Sequence, residues 1–187
     1  ARLEALRQRA SALGRNDLLC EVEAVDMWSM LASGSSDESW SAAQASYQCA
    51  AREKLLGLEL DALTQLGALA SRVGGRPAED SETEDYLQRA LARLHDQPAR
   101  FQRSLIEYEF GTALATRQPE AALLHFRRAL ALSRELRDQA GVAAALTSAS
   151  EALIETGGAA SALTMAREAL PLMQKQGNIG RVAACHA

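Results

Sequence analysis

The residue types that most often carry catalysis are sparse in this chain. Its three histidines, His95, His125 and His186, stand far apart, each without a Cys, Asp or Glu at ligand spacing on the same helical face, so no metal site is expected. Carboxylate pairs occur at Glu107/Glu109 and Glu151/Glu155. Acid–base work needs a dry site that drives two such pKa values apart, and an open helical surface does neither. The glycine-rich stretch RVGGRP (72–77) lacks the lysine and hydroxyl of a phosphate-cradling loop and reads as a helix stop. Cys20, Cys49 and Cys185 form no CxxC motif, and they read as small buried hydrophobes in a reducing cytosol. The expectation is a protein with no enzymatic activity, cofactor or metal of its own.

What remains is a surface able to bind, and its position depends on the elements that carry it. The 187 residues include 38 alanines and 18 arginines against two lysines, with 4% aromatic residues, a composition that suits helices and starves sheets. The net charge of -4, with acids and bases interleaved, argues against a nucleic-acid face. No run of 18 apolar residues without a charge is present, and the sequence opens on an Arg-studded amphipathic segment; neither a membrane span nor a secretory leader is expected, and a cytoplasmic location follows. The chain begins with Ala1 and ends on GRVAACHA, the start of a further apolar-periodic stretch, which suggests one domain, 1–187, cut from a longer protein.

Apolar residues recur at helical spacing, punctuated every 15 to 20 residues. Helices are expected near 2–13 (Leu3, Leu6, Ala10 and Leu13 on one face), from Asp17, from Asp37 towards Leu56, and from a pivot at Gly57 to RVGGRP. Others are expected near 84–95, 98–116, 119–137, 141–156 and 159–176, with the acidic run AEDSETED as the longest loop and Pro98 and Pro119 in first turns.

Sliding the sequence against itself exposes a repeat. At an offset of 40, Ala122, Leu123, Ala129, Leu130 and Leu132 fall on Ala162, Leu163, Ala169, Leu170 and Leu172, and Val142 on Val182. At 39, Arg89, Ala90 and Leu91 fall on Arg128, Ala129 and Leu130, and Gly111 lands on Ser150. In SLIEYEFGTALATRQPEAALLHFRRALAL, the pair Phe110–Gly111 is followed by Leu114 and then by Ala122, Phe126 and Ala129. This pattern resembles the tetratricopeptide repeat, in a lengthened form similar to those of bacterial signalling proteins and transcriptional regulators. A second copy carries Ser150, Leu153, Ala162, Ala166 and Ala169; an earlier one carries Leu66, Gly67, Thr83, Leu87 and Ala90. Before Gly57 the frame is open.

The resemblance implies an all-α, right-handed α-α superhelix whose first helices line a concave groove. On that face it places Asp61, Gln65 and Arg72, then Tyr108, Glu109 and Thr112, then Thr147, Glu151 and Glu155. The groove would receive a protein or peptide, with Tyr108 as aromatic anchor and a basic or amphipathic helix at the acidic end; self-association is possible. Two acids stand where the chaperone-binding members of the family hold a C-terminal carboxylate, so no such clamp is expected. A second reading is the ligand-sensing or oligomerisation module of a bacterial transcriptional or signalling regulator. Arg127, Arg128, Arg134 and Arg137, with Arg89 and Arg93, read as an outer face, and Trp28 and Trp40 as packing residues.

Overall fold

The computed structural model describes residues 2–33, 36–72, 80–95 and 99–175. These form nine helices: α1 (Arg2–Ala12), α2 (Asn16–Ser33), α3 (Ser36–Arg52), α4 (Leu56–Arg72), α5 (Asp80–Arg93), α6 (Arg100–Leu114), α7 (Pro119–Leu136), α8 (Gln139–Glu155) and α9 (Ala159–Lys175). No described residue is in a strand, and none of these helices is long and apolar enough to cross a membrane. The protein is all-α. Where the periodicity by itself suggests one array, the chain divides into two compact units, residues 1–96 and 97–187.

Within the first unit, α2 packs on α3, α3 on α4 and α4 on α5, and α2 also reaches α4. Its core joins Met27, Ala43, Ala62, Leu66 and Leu69, flanked by Trp40 and Tyr86, whose rings meet edge to face at 5.9 Å. Trp40 therefore packs as expected, whereas Trp28 is 47% exposed. Arg89 lies over the rings of Tyr47 and Tyr86 and donates to the Tyr47 hydroxyl, so this arginine joins α5 to α3 instead of only solubilising an outer face. Arg93 forks onto Glu59 at 2.9 and 2.8 Å, which compensates a buried carboxylate.

Two expectations about this unit need correction. The third helix does not pivot at Gly57: it ends at Arg52, and Lys54 takes the left-handed conformation (φ 58°) while Leu55 N–H donates to Ala50 O at 2.9 Å. A C-terminal cap of this kind closes the orphan carbonyls of the helix, and here the chain accepts a left-handed lysine to make it. Gly57 lies in the first turn of α4. The second correction concerns the thiols. Cys20 and Cys49 are buried as expected but are joined in a disulfide, with Cα atoms 5.3 Å apart, that ties α2 to α3. Free, reduced thiols therefore do not describe this pair; Cys185 lies outside the described residues, as do Pro98 and His186. The acidic run is also less of a loop than expected, because α5 already begins at Asp80.

In the second unit, α6 packs on α7, α7 on α8 and α8 on α9, with α6 also reaching α8. Pro119 opens α7 in its first turn, where its missing N–H is no loss. Asp138 caps α8 by accepting from Ala140 N–H at 3.1 Å. Arg137 and Gly157, both left-handed, end α7 and the α8 turn, with Asp138 N–H on Ser133 O and Gly158 N–H on Leu153 O.

One contact occurs in both units. A Cβ at Gly67 would stand 2.6 Å from Leu87 Cγ, and a Cβ at Gly111 would stand 2.5 Å from the Phe126 ring. These are the glycine and second-helix positions that the repeat pattern aligns. Only a residue without a side chain lets α4 approach α5, and α6 approach α7, so closely.

Candidate functional site

The second unit holds a pocket of about 460 Å³ between α6 and α8, floored by α7. α6 supplies Tyr108 and Thr112, and Ala115 follows at its C-terminal cap; α8 supplies Ser148, Glu151 and Glu155; Phe126 forms the floor. The i, i+4, i+7 spacing on α6 and the i, i+3, i+7 spacing on α8 put each set on one helix face.

Tyr108 organises the cavity. Its ring is half-buried, tilted against Phe126 at a centroid distance of 5.8 Å and packed on the core of Ala129, Leu130, Val142, Ala145, Leu146 and Ala169. Its hydroxyl lies 3.3 Å from Ser148 Oγ, bridging α6 and α8. The tyrosine thus packs between helices and also presents a face to the pocket. Phe126, 1% exposed, can lie beneath it because Gly111 leaves the space that its ring fills. Glu151 and Glu155 are exposed, one helical turn apart, and give one wall a negative charge.

Of the nine residues expected on a concave face, four line this pocket: Tyr108, Thr112, Glu151 and Glu155. Glu109 and Thr147 do not; both are buried, and Thr147 Oγ1 donates to Ala143 O at 2.9 Å and contacts Met173 sulfur. Asp61, Gln65 and Arg72 belong to α4 in the other unit. Gln65 is buried, and Asp61 is half-buried, with desolvation raising its carboxyl pKa above the ordinary 3.8. The side chain of Arg72 lies outside the described residues.

Sequence reasoning set Ser148 on a first-helix face with Thr112 and Glu151 but missed the floor role of Phe126. Ser148 stands 40 residues after Tyr108, one repeat period, so the offset test contained that signal. It also missed a polar pair on the other side of α6. Buried Glu107 meets His125 Nδ1 at 2.7 Å, with Arg128 at 3.8 Å, and the His125 ring stacks on Phe110 at 4.6 Å. Glu107 and His125 are on different helices, and spacing along the chain does not reveal such a contact. Among the described residues no group of three His, Cys, Asp or Glu is placed to hold a metal ion. The outer arginines are partly engaged: Arg134 pairs with Glu168 at 2.6 Å, and Glu135 pairs with Arg100.

No protein-family model matches the chain, and no curated protein matches it.

Proposed function

We propose that the protein is a non-enzymatic binding module of tetratricopeptide type, and that the α6–α8 pocket takes a basic segment of a protein or peptide partner. The observation that carries this reading is the combination at one opening of a half-exposed aromatic ring, Tyr108, with two exposed carboxylates, Glu151 and Glu155. An aromatic face and carboxylates suit the stem and head of an arginine or lysine side chain, and the hydroxyls of Thr112 and Ser148 give further acceptors. The repeated glycine contact at Gly67 and Gly111 supports the assignment to a helical-hairpin array. The pocket volume also falls in the range of small-ligand sites, which supports the second reading, a ligand-sensing module of a transcriptional or signalling regulator.

Fluorescence anisotropy with a labelled amphipathic helical peptide, Lys and Arg on its polar face, tests the proposal. Binding is expected to saturate and to weaken with salt. Tyr108→Ala should cost about 1 to 3 kcal/mol of affinity, and Glu151→Lys should slow association and flatten the salt dependence. If Tyr108→Ala lowers stability and leaves affinity unchanged, the ring is a packing residue and the pocket assignment fails.

A further inference from the structure

The opening between α6 and α8 is lined by hydrogen-bond acceptors. Thr112 Oγ1 donates its hydrogen to Tyr108 O at 3.1 Å, so the lone pairs of that hydroxyl remain for a ligand. Of the Tyr108 and Ser148 hydroxyls one donates to the other across 3.3 Å, and lone pairs remain on both oxygens. Glu151 and Glu155 add two carboxylates; among the described residues neither meets a cation, and no Lys, Arg or His lines the opening. Tyr108 to Ala115 and Ser148 to Glu155 each span two helical turns, about 10 Å. The slot thus runs to the C-terminal ends of both helices, where the peptide dipoles add negative charge, and a single N-terminal end, that of α7 at Pro119, opposes them.

A ligand matched to this slot carries positive charge, several N–H donors and a flat face for the half-buried Tyr108 ring. A guanidinium has all three: a permanent charge, five donors in one plane and a face that stacks on tyrosine. A lysine ammonium meets the carboxylates but gathers its donors at one point and has no flat face. A quaternary ammonium has no donor and needs several rings around it, whereas Phe126 is 1% exposed and leaves Tyr108 as the ring on offer. The first unit shows the same kinds of group with their cation in place. There Arg89 lies over the Tyr47 ring, 5.2 Å from its centroid, donates to the Tyr47 hydroxyl and reaches the Asp85 carboxylate at 3.4 Å. Tyrosine face, phenolic oxygen and carboxylate thus hold a guanidinium within this fold, and around Tyr108 the same three groups hold none among the described residues.

We propose that the cation taken by the α6–α8 pocket is a guanidinium, an arginine side chain of the partner that stacks on Tyr108 and is held by Glu151 and Glu155. The proposal rests on the reading of this pocket as the site of a basic segment, and it narrows that segment to one whose arginine cannot be exchanged for lysine. The carboxylates supply the attraction that both side chains share. The ring and the spread of acceptors supply the selectivity, because only a planar, many-donor cation uses them together.

Two labelled peptides of one amphipathic sequence, with arginine at every basic position in the first and lysine in the second, separate this preference from the attraction of charge. Titrated with the full chain, the arginine peptide is expected to bind about tenfold more tightly. N-acetylarginine amide should displace it at lower concentration than N-acetyllysine amide does, and the uncharged N-acetylcitrulline amide should not displace it. Tyr108→Leu should bring the arginine peptide down to the affinity of the lysine peptide, and Tyr108→Phe, which keeps the ring, should retain most of the preference. If Tyr108→Leu fails to fold, the competition between the amides on the unaltered protein decides. Equal affinity for the two peptides overturns the guanidinium assignment and leaves the basic-segment reading standing. An arginine preference undiminished in a folded Tyr108→Leu overturns the stack on Tyr108, and no binding of either peptide removes both the assignment and the reading beneath it.

Discussion

The α4–α5 and α6–α7 pairs use the same device and are secured differently around it. In both, a glycine on the first helix lies under a large residue of the second: Gly67 under Leu87, Gly111 under Phe126. Around the first pair, a disulfide between Cys20 and Cys49, a guanidinium on two tyrosine rings and the Arg93–Glu59 fork join neighbouring helices. Around the second, aromatic rings interdigitate: Phe126 against Tyr108, Phe110 against His125. The backbone arrangement thus sets where a small residue is needed, and the choice of large partner decides what else the pair can do. A leucine over Gly67 seals the contact. A phenylalanine over Gly111 supports a half-exposed tyrosine and leaves a pocket beside it.

Substitution at the two glycines should break this parallel most sharply. The Phe126 ring is rigid and fully buried, so the Cβ of Gly111→Leu, 2.5 Å from it, forces either the ring or α6 to move. A loss of about 3 kcal/mol is expected from urea unfolding, at the upper end of overpacking costs. Gly67→Ala meets a leucine branch that can change rotamer, and about 1 kcal/mol is expected. If the two variants cost the same, the rigidity of the partner is not what separates the pairs.

The glycines were legible in the sequence because the repeat pattern reserves a small residue there, and nine helices were legible because Gly, Pro and Asp punctuate them. The frame before Gly57 was not. At an offset of 40 the first two helices share only scattered identities, such as Ala5/Ala45, Gln8/Gln48, Ala10/Ala50 and Leu18/Leu58, yet the backbone bonds at Gly14 and Lys54 repeat. A left-handed lysine carries no glycine signal, and so Gly57 attracted the break. The disulfide was hidden for a similar reason: 29 residues separate its cysteines, and only the packing of α2 on α3 brings them together. In the candidate site, Tyr108 and Thr112 were placed on the right face but Glu109 was not. One residue turns a helix by about 100°, enough to move a side chain from the pocket to the core.

The cystine offers the next largest effect. It is buried, and it closes a loop across the α2–α3 connection, so Cys20→Ala/Cys49→Ala should cost about 2 to 4 kcal/mol. Hydrogen exchange should localise the loss to α1–α5, with the amides of α6–α9 unchanged. Equal loss of protection in both units would show that they unfold as one, and the contrast between a stapled and an interdigitated unit would have no energetic meaning.

The smallest effect separates a buried acid, Glu107, from a half-buried one, Asp61. Glu107 in the second unit has His125 and Arg128 against it, whereas the one cause acting to shift Asp61 in the first is desolvation. Burial raises the Asp61 pKa, so the folded chain holds this proton to a higher pH than the unfolded chain, whose ordinary value is 3.8. Folding then takes up a proton between the two values, and stability falls as pH rises through that window. Asp61→Asn removes the ionisation and should therefore stabilise the protein at pH 7, by about 0.5 kcal/mol or less for a half-buried position. The gain should disappear below about pH 3.8, where Asp61 is protonated in both states. Urea midpoints at pH 7 and pH 3 measure both sides of this. A variant less stable than the parent at pH 7 would mean that the Asp61 carboxylate is held by an attraction stronger than its desolvation, as Glu59 is by Arg93.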